Sequence, residues 1–171
     1  MRSLIEQSYP IDKYEILIID GLSDDGTIEI AKEVANLYKV HNQQNEKVLN
    51  IRFLNNPKKL LAAGWNLGIR EAKGEYVIRI DAHGYADRNF ILKSVETMLK
   101  VGDAVCVGGT LKTEALSEKG EVIANVLSSP FGVGNSKFRY SQKAQYVDTV
   151  AFGLYKKSIF DRVGYFDETL K

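Results

Sequence analysis

Asp81-Ala82-His83 sets a carboxylate and an imidazole two positions apart, directly after the apolar run Tyr76-Val77-Ile78-Arg79-Ile80. Carboxylate and imidazole are both side-chain types able to ligate a metal ion. A second segment, Asp20-Gly21-Leu22-Ser23-Asp24-Asp25-Gly26-Thr27, also follows an apolar run and is rich in carboxylates and hydroxyls. Each has a plainer reading. An isolated D-x-H triplet is more often a turn aspartate beside an exposed histidine, and the Asp20 loop has about an even chance of being only a turn and a helix cap. Their placement argues for chemistry, because ligands of open parallel sheets bind beyond the carboxyl ends of the strands.

The elements that must hold these residues are legible in the hydrophobic pattern. Tyr14 to Asp20 reads as a central parallel strand, short, β-branched and apolar on both faces. Ser23, Asp24 and Asp25 offer cap oxygens to a helix whose apolar positions are Ile28, Ala31, Val34, Ala35 and Tyr38. Val48 to Leu54 reads as a second strand, followed by a helix with Leu61, Trp65, Gly68, Ile69 and Ala72 on its inner stripe and Gly74 as its stop. Tyr76 to Ile80 makes a third strand, and Ile91, Val95, Met98 and Leu99 mark a third helix with Asp87 as candidate cap. Ala104 to Gly109 makes a fourth strand. This alternation predicts an α/β fold with a mostly parallel sheet and helices on both faces. From Thr110 to Asp148 the pattern weakens, and irregular structure is expected around Ser129-Pro130-Phe131-Gly132-Val133-Gly134-Asn135.

Composition narrows the partners. A chain of 171 residues, 44% of them hydrophobic, suits one domain with a substantial core. Its net charge of +1 leaves no broad field for nucleic acid or an anionic membrane. The single Cys106 excludes an internal disulfide and, within Ala104-Val105-Cys106-Val107, reads as a buried inert thiol. No run approaches the roughly 18 apolar residues of a membrane span, and Met1-Arg2-Ser3-Leu4-Ile5-Glu6-Gln7 is too polar for a signal peptide, so a cytoplasmic setting is expected.

The run from Glu15 to Thr27 resembles the nucleotide-binding strand and loop of family 2 glycosyltransferases, inverting enzymes of GT-A-type fold. The resemblance continues through Asn55-Asn56-Pro57, Ala63-Gly64-Trp65-Asn66-Leu67-Gly68-Ile69, Ala72-Lys73-Gly74-Glu75-Tyr76 and Asp81-Ala82-His83, in the family's order and spacing. Val107-Gly108-Gly109, Phe131-Gly132-Val133-Gly134-Asn135 with Phe138-Arg139, and Val163-Gly164-Tyr165-Phe166-Asp167-Glu168 are similar to the branch that builds bacterial exopolysaccharides such as succinoglycan.

This resemblance implies a GT-A-like, Rossmann-related domain over 1–171, with a nucleotide-sugar-binding part in 1–109 and the start of an acceptor-side part in 110–171. It makes Asp20, Gly21, Ser23, Asn66 and Asp81 candidate donor-binding residues, although capping or packing suits Asn66 equally well, and close helix packing suits Gly68. Asp81 and His83 fall on the family's D-x-D positions, where a divalent cation bridges the donor's phosphates. Imidazole in place of a carboxylate favours manganese over magnesium. Gly21 stands where many relatives carry an aspartate that contacts uracil; a UDP-sugar is the first expectation, with the base left open. The acceptor is expected to be a growing polysaccharide or lipid-linked glycan, with the full-length protein at the inner face of the membrane. Relatives begin with an apolar strand before the first helix, which here spans Arg2 to Gln7, and place a general base shortly after the Phe166-Asp167-Glu168 segment. The chain is therefore expected to be incomplete at both ends, with the base beyond Lys171 and turnover lost.

Other readings remain. A non-catalytic, doubly wound module could hold metal or nucleotide on the same loop aspartates. A dinucleotide-dependent oxidoreductase is disfavoured, because no G-x-G-x-x-G follows any predicted strand. Lys58 and Lys59 read as solvated charges, Trp65 as core, His41 as a polar-loop residue, and Asp167 and Glu168 as capping residues.

Overall fold

The computed structural model describes residues 1–41, 48–115, 117–141 and 143–169, without the side chains of Val40 and His41. Helix α1 (Arg2–Ile5) leads to β1 (Glu15–Asp20), α2 (Thr27–His41), β2 (Asn50–Asn55), α3 (Leu61–Glu71), β3 (Tyr76–Ile78), α4 (Phe90–Val101) and β4 (Cys106–Val107). These follow the expected order closely. His41 is the last residue of α2 and not part of a loop.

Beyond β4 the expectation of irregular structure fails in part. Helices α5 (Glu118–Leu127) and α6 (Pro130–Val133), a 3₁₀ turn at Lys137–Arg139, strand β5 (Leu154–Lys156) and helix α7 (Ser158–Val163) follow. Local capping explains the first two. Ser117 accepts a hydrogen bond from the Gly120 N–H, Glu118 and Glu121 occupy the first turn of α5, and Ser129 caps α6 with Pro130 at its start. Helix α5 does carry Val122, Ile123, Val126 and Leu127 at helical spacing, but none of its residues is buried, so the stripe is short and packs into neither core cluster.

The strands form two ladders. β1 and β2 pair in parallel from Glu15 opposite Asn50 to Asp20 opposite Asn55. β3 and β4 each pair antiparallel with β5, which lies between them. β3 and β4 therefore run in one direction with an inverted strand between them. The sequence pattern missed that inversion because β5 arrives only after the long excursion through α5 and α6.

Ile5, Ile16, Ala35, Leu49 and Ile51 form one core cluster, between α1, α2 and the parallel pair. Met98, Val107 and Leu154 form the other, beneath α4. Tyr14 joins α1 to the first cluster by donating to the Leu4 carbonyl at 3.0 Å, and burial, then the neighbouring Tyr38, pushes its phenol up to about 12. Gln7 is buried and fully bonded: its amide donates to the Ser3 and Asp87 carbonyls and accepts from the Ile91 N–H. The first turn of the chain thus anchors the loop that follows Asp81.

Two expected inner positions are wrong. Leu61 is 67% and Leu99 68% exposed. In α3 the buried face is instead Ala63, Gly64, Asn66 and Ile69, because the helix approaches β1 through its glycines. A side chain built at Gly68 would meet the Ile19 Cδ1 atom at 2.5 Å, and one at Gly64 would meet Asn56 at 3.1 Å and Ile19 at 3.6 Å. The helix ends at Glu71, one turn short of Gly74, as Ala72 turns extended.

Substituting Gly68 measures this approach. Gly68→Ala is expected to be near neutral, since the tip of Ile19 can yield and helix propensity gains about 1 kcal/mol. Gly68→Val is expected to lower the urea unfolding free energy by about 1–3 kcal/mol, because its branches cannot be accommodated in the same way. Equal stability of the two variants would contradict the contact.

Candidate functional site

The Asp20 loop folds on its own side chains. Asp20, 9% exposed at the end of β1, accepts from the Ser23 hydroxyl at 2.6 Å and the Ser23 N–H at 3.0 Å. Those bonds, the hydroxyl's foremost, hold its carboxyl below the usual carboxylate range. Asp25 accepts from the Thr27 hydroxyl and N–H, which makes it the residue that starts α2, and those bonds lower its pKa too. Asp20, Gly21 and Ser23 therefore lie together in one compact loop. Leu22 at φ 64° and Gly26 at φ 81° make its sharpest turns.

The Asp81 turn is built differently. β3 ends at Ile78, so Arg79 and Ile80 carry the chain onward without ladder bonds to the turn that Gly84 N–H closes on the Asp81 carbonyl at 2.9 Å. His83 is exposed on that turn. The Asp81 carboxylate is aimed by Arg79, whose Nε lies 3.3 Å from Oδ1. Arg79 is itself held against the face of Trp65, at 3.9 Å from the ring centroid, and near Phe152 at 5.6 Å. The stacking, at about 0.5–2 kcal/mol, outweighs a part-exposed ion pair of about 0–1 kcal/mol, so the rings fix the guanidinium and the guanidinium fixes Asp81.

Trp65 is consequently not plain core. It is half-buried, with Arg79 on its face and Phe166 packed edge-on at 4.8 Å. Sequence reasoning passed over Arg79, although a residue two positions before Asp81 in extended chain lies on the same face.

Asn66 is 1% exposed and faces the C-terminal segment. Its amide donates to the Phe166 carbonyl and to Glu168 Oε1, both at 2.8 Å, and accepts from the Phe166 N–H at 2.9 Å. Glu168 takes its second bond from Lys58 at 2.6 Å. Lys58 is thus an ion-pair partner and not a merely solvated charge. Asp167 accepts from Thr169 and stabilises a local turn.

Among the described residues no hydrogen bond or ion pair joins the Asp20 loop to the Asp81 turn, and β1 and β3 belong to separate ladders. No group of three or more His, Cys, Asp or Glu side chains that could hold a metal gathers among the described residues. Asp81 and His83 supply two ligands, and a hard divalent cation takes six or more. Any ion there would need further ligands beyond this pair. Cys106 is half-buried, and burial raises its thiol pKa, in keeping with an inert side chain.

The model of the family described as Glycosyl transferase family 2 matches residues 1–164. A Methanococcus voltae protein described as dolichyl N-acetyl-alpha-D-glucosaminyl phosphate 3-beta-D-2,3-diacetamido-2,3-dideoxy-beta-D-glucuronosyltransferase is 31% identical over 159 residues, 91% of this chain and 47% of its own. Succinoglycan biosynthesis protein ExoA of Rhizobium meliloti (strain 1021) is 33% identical over 157 residues, 90% of this chain and 44% of its own. The chain thus spans less than half the length of these curated relatives. The crystal structure of S. aureus TarS 1-349 in complex with UDP superposes with a TM-score of 0.66 at 19% identity, covering 99% of this chain and 46% of that one, which shows a shared GT-A fold.

The latch on Glu168 has a pH signature. Lysine and amide bonds to the ionised form, the Asn66 bond foremost, lower its pKa, so their stabilisation is complete above the ordinary glutamate range and is lost as pH falls through the lowered folded value. Glu168→Gln is therefore expected to unfold at lower urea than the parent at pH 7 and to match it near pH 3. Asn66→Ala, which removes three hydrogen bonds to Phe166 and Glu168 from a buried position, should cost about 1–3 kcal/mol at pH 7. A Glu168→Gln deficit independent of pH would refute the ionic latch.

Proposed function

The chain belongs to glycosyltransferase family 2, and from that premise we propose that it binds a nucleotide-diphosphate sugar for inverting transfer to a growing polysaccharide or lipid-linked glycan. The observation that carries this reading is the Asp81 turn: a carboxylate aimed by a stacked arginine, with an imidazole two residues on, in a chain matched to the family over residues 1–164.

In this reading Asp20, Gly21 and Ser23 form the loop against the nucleoside, and Asp81 and His83 hold a divalent cation on the diphosphate, manganese in preference to magnesium. When bound, the cation neutralises the charge that gathers on the departing diphosphate. Arg79 keeps Asp81 oriented before donor arrives, so no side-chain rotation has to be frozen on binding. Asn66 acts one step removed, by holding Phe166 and Glu168 against α3.

A general base is not assigned to Asp167 or Glu168. Their carboxylates are engaged by Thr169 and by Asn66 with Lys58, and those bonds lower both pKa values, the reverse of what a base poised near neutrality needs. One fold neighbour was crystallised in complex with UDP, and UDP is the nucleotide to try first. The succinoglycan and dolichyl-linked syntheses for which the two relatives are named support an acceptor that is a polysaccharide or a dolichyl-linked glycan. We place the protein at the cytoplasmic face of a membrane; no helix among the described residues is long and apolar enough to cross one.

Thermal unfolding with UDP, GDP and their sugars, with and without manganese, tests the proposal. Ligand at 100 times its dissociation constant adds roughly 2.7 kcal/mol, and roughly 5 to 11 °C in a domain of this size. Asp81→Asn is expected to abolish the metal-dependent part of the shift. Manganese without nucleotide producing the full shift would instead favour a metal-binding module that has no sugar donor. In a separate test of the clamp, Arg79→Lys keeps the charge but loses the flat stack, and should weaken metal-dependent nucleotide binding about threefold to tenfold. Unchanged binding would remove Arg79 from the site.

A further inference from the structure

Two hollows lie outside the site described above and share one ridge, Gly108-Gly109-Thr110. The first, about 190 Å³, is walled by Phe138, Lys137, Ser141 and Lys143. The second, about 250 Å³, is walled by Phe90, Asn89, Lys93 and Asp87. Each combines one aromatic ring with hydroxyl, amide and charged groups, the mixture that suits a sugar ring with an apolar face and a polar rim.

The ridge is low for a physical reason. A side chain at Gly108 would strike the Val150 Cγ1 atom at 2.0 Å, so the strand packs there with no atom to spare, while at Gly109 the space reaches Phe90 Cε2 at 3.8 Å. At positions 108 and 109 the ridge between the hollows is main chain alone. The walls of the first hollow are cross-linked: Thr110 donates to the Ser141 carbonyl, Gln145 to the Ser141 hydroxyl, and Leu111 N–H to the Phe138 carbonyl.

Charge separates the two ends. Lys137 and Lys143 line the first hollow, whose described lining includes no acidic residue, and neither lysine has an ion pair among the described residues. In the second hollow, whose lining also includes Asp87, Lys93 pairs with Glu96 at 2.9 Å, so its charge is compensated.

We propose that this groove binds two successive sugar residues of the acceptor glycan, an anionic one, such as a uronic acid, against Lys137 and Lys143 and a neutral one against Phe90. The inference rests on the sugar-transfer reading, and it gives the acceptor both a location and a direction.

The test uses the 171-residue chain, with backbone amide shifts as the readout. The probes are a glucuronosyl-glucose disaccharide, its neutral glucosyl-glucose counterpart and inorganic phosphate. The acidic disaccharide is expected to perturb Gly108, Gly109 and Thr110 and to bind about fivefold to tenfold more tightly than the neutral one. Lys137→Gln with Lys143→Gln should erase that difference, and Gly109→Leu, which fills the second hollow, should weaken both sugars. Neither change should alter the thermal response to UDP. Equal affinity for the two disaccharides, no perturbation at residues 108–110, or competition by phosphate at equal concentration overturns the proposal. Disaccharide binding without any nucleotide response would sink the sugar-donor reading while leaving the groove; a nucleotide response without disaccharide binding would do the opposite.

Discussion

Helix α3 lies close on β1 because Gly64 and Gly68 present no side chain to Ile19, and that approach decides where everything else on the helix points. With the glycine face committed to the parallel pair, Trp65 is left to pack on Arg79 and Phe166, and Asn66 to bond Phe166 and Glu168. One helix of 11 residues thereby touches the first ladder, the chain leaving the second, and the C-terminal segment. Separate ladders with separate apolar clusters need such a connector, since among the described residues no strand pairing ties them together.

The polar interactions fall into two kinds with different consequences. Glu15 gathers the Arg52 guanidinium, the Asn50 amide and the Lys73 N–H, and Lys157 reaches the Ala72 carbonyl, so charged groups at the amino end of β1 and the carboxyl end of α3 act as fasteners. At the other end of the strands the loops are self-contained. Asp20 bonds Ser23, Asp25 bonds Thr27, and Asp81 meets Arg79, so the carboxylates are aligned before any ligand arrives. Preorganisation of this sort lowers the ordering cost of binding and leaves lone pairs for a ligand.

Much of the fold was legible because burial is periodic. β1, α2, β2, α3 and α4 showed themselves through apolar spacing that tertiary packing then used, with Ile16, Ala35, Ile51, Ile69 and Met98 all buried as their pattern required. Where burial is absent or borrowed from afar, the reading failed. Helix α5 has no buried residue and only a short apolar stripe, Val122, Ile123, Val126 and Leu127, besides its Ser117 cap, and β5 is three residues long with a partner on each side drawn from much earlier in the chain.

The sequence by itself determined the element order through β4, the family, and the types of group available at two strand ends, because spacing and residue chemistry are local properties. Only the tertiary structure decided that Trp65 clamps Arg79, that Asn66 and Lys58 meet Glu168 across about a hundred residues of chain, and that β5 runs inverted between β3 and β4. Those pairings depend on which faces meet after the glycine approach of α3 to β1 is made, and a linear pattern of apolar and polar residues carries no record of that choice.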